Sequence, residues 1–134
     1  MMSDKAAPRV ILLLGSNADA QANLTAAVAA ISLQFPVIAV SARHQSPPAN
    51  LADAEPYWNQ AVLVMSSLAR EPMKLHLRAI EESLGRIRPA LDARICPIDI
   101  DALAQVDGEL AVWDRKTMDT DYAQAPLADL RGHW

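Results

Sequence analysis

The chain has 134 residues, enough for one domain and too few for two. With 51% hydrophobic residues it can build a core, which excludes a disordered chain, and a net charge of −4 argues against a general nucleic-acid binder. The one cysteine, Cys96, excludes a disulfide framework and a cysteine-based zinc site, and it fits a reducing compartment.

The apolar run at residues 10–14 (VILLL) is too short to span a bilayer. The leader MMSDKAAPR lacks the basic-then-apolar order of a signal peptide. The expectation is a single cytoplasmic domain over residues 1–134, with a flexible leader at 1–8, no membrane or nucleic-acid partner, and a monomeric or weakly dimeric state.

Residues 10–14 read as a buried strand closed by Gly15-Ser16-Asn17. Asn17 or Asp19 is placed to cap a helix in which Leu24, Ala27, Val28 and Ile31 recur, with Pro36 ending it. A second strand follows at 37–42, then a loop of roughly ten residues opened by Ser46-Pro47-Pro48-Ala49-Asn50. From Tyr57 to Met65 the pattern is strand-like again.

Glu71-Pro72 starts a second helix carried by Met73, Leu77, Ile80, Glu81 and Leu84 and closed by Gly85. An arginine-bearing stretch, 86–94, leads to a strand at 98–103, a hairpin around Asp107-Gly108, a strand at 110–113, and a helical turn or two at 126–130. The order strand, helix, strand, strand, helix, strand predicts an α+β, ferredoxin-like sandwich. Its core is an antiparallel four-stranded sheet with both helices packed on one face, and a hairpin trails it.

Asp99 and Asp101 stand two apart in a strand, so both carboxylates emerge on one side while Ile98 and Ile100 face the core. Two acids that close repel or share a proton unless a cation lies between them, and Mg²⁺ favours such a pair completed by substrate phosphates. A solvated strand face carrying two acids is the plainer reading of the same spacing. Arg86, Arg88 and Arg94 just upstream have the guanidinium geometry that matches phosphate, although Arg86 and Arg88 also suit the C-terminal end of the preceding helix. Tyr57 beside Asn59, at the edge of the proline loop, could stack a flat heterocycle whose edge the carboxamide reads; ordinary loop anchoring accounts for Tyr57 and Trp58 as well. His44, His76 and His133 lack metal-ligand spacing, and no P-loop is present. Cys96 reads as a buried or half-buried thiol.

Six segments in order, ILLLGSN (11–17), SPP (46–48), YWNQAV (57–62), IEESLGRIR (80–88), PIDID (97–101) and APLADL (125–130), resemble the 6-hydroxymethyl-7,8-dihydropterin pyrophosphokinase family. The resemblance implies a ferredoxin-like fold and Mg²⁺-dependent transfer of pyrophosphate from ATP to the hydroxymethyl group of the pterin, with AMP released. On the matching positions it implies that Asp99 and Asp101 hold two Mg²⁺ ions bridging the ATP phosphates, and that Tyr57 and Tyr122 sandwich the pterin ring. Asn59 and the backbone of Ser46, Pro47 and Ala49 would meet the pterin edge, and Glu81, Arg86 and Arg88 the nucleotide.

Departures from the family pattern fall on the phosphate side. Ala93 stands at its tryptophan and Cys96 at its arginine ahead of the acid pair, leaving Arg94 as the substitute. The later proline-histidine step and arginine are replaced by acidic or neutral residues, with Arg115 and Lys116 nearby. A pterin-binding homologue that has lost much of the triphosphate site is therefore the alternative expectation.

Overall fold

The computed structural model describes residues 7–47 and 54–134. In chain order the elements are β1 (Arg9–Ser16), α1 (Ala20–Gln34), β2 (Val37–Val40), β3 (His44–Ser46), β4 (Tyr57–Met65), α2 (Arg70–Ser83), β5 (Asp99–Asp107), β6 (Glu109–Val112), α3 (Arg115–Met118) and α4 (Asp121–Leu130). Every strand pairing is antiparallel, and β1 lies between β4 and β5. The path β2-β4-β1-β5 is the expected four-stranded ferredoxin-like core, and β6 extends it as the expected hairpin. The sheet is larger than expected by β3, which pairs with the start of β4 where the sequence suggested only the entry to a loop.

Both faces of β1 are apolar because both are covered. Val10, Leu12 and Leu14 pack with Leu24 and Ile31 of α1 and Met73 and Leu77 of α2. Ile11 and Leu13 pack on the opposite side with Ala123, Leu127 and Leu130 of α4. As expected, α1 and α2 share one face, and α4 adds a layer that closes the other. Pro126 masked that layer in the sequence. It has no N–H for the carbonyl four residues back and so reads as a helix start, yet it sits inside α4. The apolar spacing of Ala123, Leu127 and Leu130 carries the helix through it.

Helix α2 ends in a left-handed turn at Gly85 (φ 100°), with Gly85 N–H donating to the Glu82 carbonyl and Arg86 N–H to the Glu81 carbonyl, at 3.1 and 3.0 Å. That turn sends the arginine-bearing loop back toward the sheet. Neither residue expected to cap α1 does so through its side chain. Asp19 sits at the cap position with left-handed backbone (φ 46°) and no capping bond, and the Asn17 amide binds the loop before β5.

Most of the expected leader lies outside the described residues, but the Pro8 carbonyl accepts a hydrogen bond from Ser66 N–H at 3.0 Å. Among the described residues no helix is long and apolar enough to cross a membrane.

Candidate functional site

Cross-strand register assembles the site. Gly15 of β1 stands opposite Asn59 of β4 on one side and Asp99 of β5 on the other, and Asn59 stands opposite His44 of β3. Directly opposed residues share a face, and so do residues two apart on one strand. Tyr57, Asn59, Gly15, Asp99 and Asp101 therefore gather on the face that α4 covers. A Cβ on Gly15 would meet Asn59 Oδ1 at 3.4 Å and Tyr57 Cδ2 at 3.5 Å, so the missing side chain is what leaves a hollow in this row. Tyr122, near the start of α4, reaches over it.

The hollow is a cavity of about 220 Å³ lined by Leu13, Ser46, Pro47, Tyr57, Asn59 and Tyr122, with Asp99 and Asp101 at one edge. A buried apolar cavity of roughly 150 Å³ holds a benzene molecule, so this one suits a slightly larger flat heterocycle. The Asn59 amide nitrogen donates to Ser46 Oγ (2.8 Å) and to the His44 carbonyl (3.3 Å). Its orientation is thereby fixed, and Oδ1 is left as an acceptor beside Gly15. Burial raises the Tyr57 phenol well above its usual range, so Tyr57 is a neutral aromatic platform.

Asp99 and Asp101 also form one wall of a second cavity, about 310 Å³, which Arg88, Glu81 and the face of α2 enclose on the other side. Asp101 is pushed up to about 8, first by burial and then by the Asp99 carboxylate beside it. Burial and the neighbouring charge favour a proton on Asp101; a hard divalent ion relieves the same conflict, and two carboxylates plus phosphate oxygens are what Mg²⁺ takes. Among the described residues no group of three His, Cys, Asp or Glu could hold a metal ion.

Glu81 is buried and fully engaged. One carboxylate oxygen pairs with the Arg88 guanidinium, and the other accepts the Ile100 backbone N–H at 2.6 Å. Burial raises its pKa, opposed by those two partners. Arg86 Nη1 donates to the Ile98 carbonyl (2.9 Å), to Asp99 Oδ1 (3.3 Å) and to Cys96 Sγ (3.3 Å). Arg88 thus faces the second cavity, while Arg86 lies behind Asp99 and orients it.

Arg94 is tied bidentately to Asp92 at 2.9 and 3.0 Å and lines neither cavity, and Arg115 pairs with Asp119 at 3.6 Å. Cys96 is a buried free thiol that burial pushes up, which suits packing and not nucleophilic attack. Ala49 lies outside the described residues.

The sequence reading missed three contributors. Gly15 floors the first cavity. Asn17 ties the end of β1 to the loop, accepting from Cys96 N–H (2.6 Å) and donating to the Arg94 carbonyl (2.7 Å). The third is the cationic face of α2, Arg70, Lys74 and Arg78, on the second cavity; its spacing of four was visible in the sequence, but any exposed helix face looks alike without a cavity to face.

Residues 11–132 match the family model for 7,8-dihydro-6-hydroxymethylpterin-pyrophosphokinase. No curated protein matches the chain.

Proposed function

The chain belongs to the 7,8-dihydro-6-hydroxymethylpterin-pyrophosphokinase family, and from that premise we propose that it transfers pyrophosphate from ATP to 6-hydroxymethyl-7,8-dihydropterin. The family implies a diphosphokinase of folate biosynthesis that uses ATP and Mg²⁺. The observation that carries the reading for this chain is one carboxylate pair shared by two adjoining cavities, one aromatic and one ionic.

In this reading Tyr57 and Tyr122 stack the pterin ring, and Asn59 Oδ1 accepts from the amino and ring N–H edge of the pterin. The hydroxymethyl group then points toward Asp99 and Asp101, and the ATP phosphates lie in the second cavity beside Arg88. The hydroxyl oxygen attacks the β-phosphorus and gives its proton to solvent, while the bond from that phosphorus to the oxygen it shares with the α-phosphate breaks and that oxygen leaves as part of AMP. Such a transfer asks for alignment and charge neutralisation more than for a strong base. Asp99 and Asp101 would hold Mg²⁺, which when bound would supply charge neutralisation for the phosphates. Glu81 and Arg86 act as positioning residues: Glu81 fixes Arg88 and the backbone between the two acids, and Arg86 fixes Asp99.

A second reading, a pterin-binding protein without transfer, draws on the ion pairs that occupy Arg94 and Arg115 and on the thiol at position 96. Incubating the purified protein with ATP, Mg²⁺ and 6-hydroxymethyl-7,8-dihydropterin separates the two. AMP and pterin pyrophosphate in equal amounts, both absent with Asp99→Ala, support transfer. Pterin binding by titration with no AMP supports the second reading.

A further inference from the structure

The ion-paired state of Arg88, Arg94 and Arg115 leaves open which cations meet a polyphosphate. Arg70, Lys74 and Arg78 are exposed, stand four residues apart on α2 and all line the second cavity. Residues at that spacing form one row along a helix, here roughly 12 Å from first to last. Among the described residues none of the three is in an ion pair, unlike the arginines of the loop that follows.

Asp99 and Asp101 of β5, with Asp114, line one side of the cavity, and this row lines the other together with Glu71 and the Glu81–Arg88 pair. Among the described residues Arg70, Lys74 and Arg78 thus outnumber the one unpaired acid on the helix side. An anionic chain entering it is repelled by the bare acids unless divalent cations cover them, and it meets the free cations of α2 on the opposite side. We infer that Arg70, Lys74 and Arg78 form the polyphosphate-binding wall of this protein, taking over the charge that the loop before β5 does not present. The site takes a nucleoside triphosphate as its metal complex, and α2 contacts the phosphate chain and not the base. This rests on the proposed reaction for the identity of the nucleotide, but the binding itself can be measured without turnover.

The test is calorimetric titration of the full chain with Mg²⁺-ATP, and separately with Mg²⁺ and inorganic tripolyphosphate. It compares wild type with Lys74→Ala/Arg78→Ala and with the charge-keeping Lys74→Arg/Arg78→Lys, and pterin binding and the melting temperature serve as controls. Exposed cations each contribute modestly, so the alanine pair is expected to weaken both ligands about tenfold, the charge-keeping pair much less. Pterin affinity and melting temperature stay put, and the wild-type affinity falls as salt rises. Unchanged ATP and tripolyphosphate affinity in the alanine pair overturns the inference, as does a wild type that binds neither. Binding that depends on α2 but yields no AMP upholds the inference and counts against the proposed reaction instead.

Discussion

The carboxylate of Glu81 accepts the backbone N–H of Ile100 at 2.6 Å, and Ile100 is the residue between Asp99 and Asp101. A helix residue thus fixes the stretch of β5 from which both acids project, and its other oxygen holds Arg88. Removing one partner of a buried pair strands the other, typically at about 3–5 kcal/mol; with Arg88 partly exposed the cost here falls below that range. Glu81→Ala is expected to destabilise by about 2–3 kcal/mol, and Glu81→Gln, which can still accept from Ile100, by less. Arg88→Ala leaves the buried carboxylate to the Ile100 bond alone and raises its pKa further. A raised folded-state pKa means the native protein binds more protons than the unfolded chain, so stability falls as pH rises above the ordinary carboxylate range. Denaturant melts of Arg88→Ala should therefore show a steeper loss between mildly acidic and neutral pH than wild type; parallel curves would remove Glu81 from the pair.

Asp101 stores the same kind of conflict more openly. Its pKa of about 8 lies far above that of an unfolded aspartate, so the metal-free protein gains protons on folding and loses stability as pH climbs from about 4 toward 8. Asp101→Asn removes the charge while keeping the shape. The variant is expected to melt roughly 3–6 °C higher than wild type at pH 7.5 in the absence of divalent ions, corresponding to about 1 kcal/mol. Its melting temperature should also depend less on pH, and it should lose Mg²⁺-dependent nucleotide binding. Thermal melts in chelator across that range check the sign; a variant less stable than wild type at pH 7.5 contradicts it.

How much of this was legible differs residue by residue. The β-α-β-β-α-β core was readable because 10–14 and 57–65 are apolar runs and Leu24, Ala27 and Ile31, or Met73, Leu77 and Ile80, recur at helical spacing. The acid pair was readable because its geometry needs only a spacing of two on one strand. Asn17 was not, since its partners lie 77 and 79 residues away and its local context looked like a turn or cap. Arg94 looked free for a ligand because its pairing with Asp92, only two residues back, competes with a role the sequence equally allowed. The third layer was hidden by one proline within an otherwise apolar-patterned helix.

Gly15 was read as part of a turn, yet it is the middle of the row from Asn59 to Asp99. A methyl group there would sit in van der Waals contact with Asn59 Oδ1 and the Tyr57 ring. Gly15→Ala is expected to leave melting temperature within a few degrees, because the new contacts are at van der Waals distance, while it narrows the first cavity. Pterin affinity should drop by about tenfold, about 1.4 kcal/mol, because the methyl group takes space the ring would fill. Nucleotide affinity, which the proposed reading assigns to the second cavity, should hold. Equal loss of both ligands would point to a general distortion of the sheet.

Tyr122 tests the aromatic half of the site in isolation. It stands near the start of α4, 42% exposed, on the same cavity as Tyr57, and burial raises its phenol so that it too is neutral in use. Its ring contributes through a π face, which phenylalanine supplies equally, whereas alanine supplies none. Tyr122→Phe should therefore bind the pterin within about twofold of wild type, and Tyr122→Ala should lose about 1–3 kcal/mol, the scale of a base stacked on an aromatic side chain. The alanine variant should melt close to wild type, because the buried contacts that hold α4 to the sheet are made by Ala123, Leu127 and Leu130. Fluorescence titration with the pterin distinguishes the cases: a loss shared by the phenylalanine variant would assign the contribution to the hydroxyl, and no loss in either would take α4 out of the pterin site.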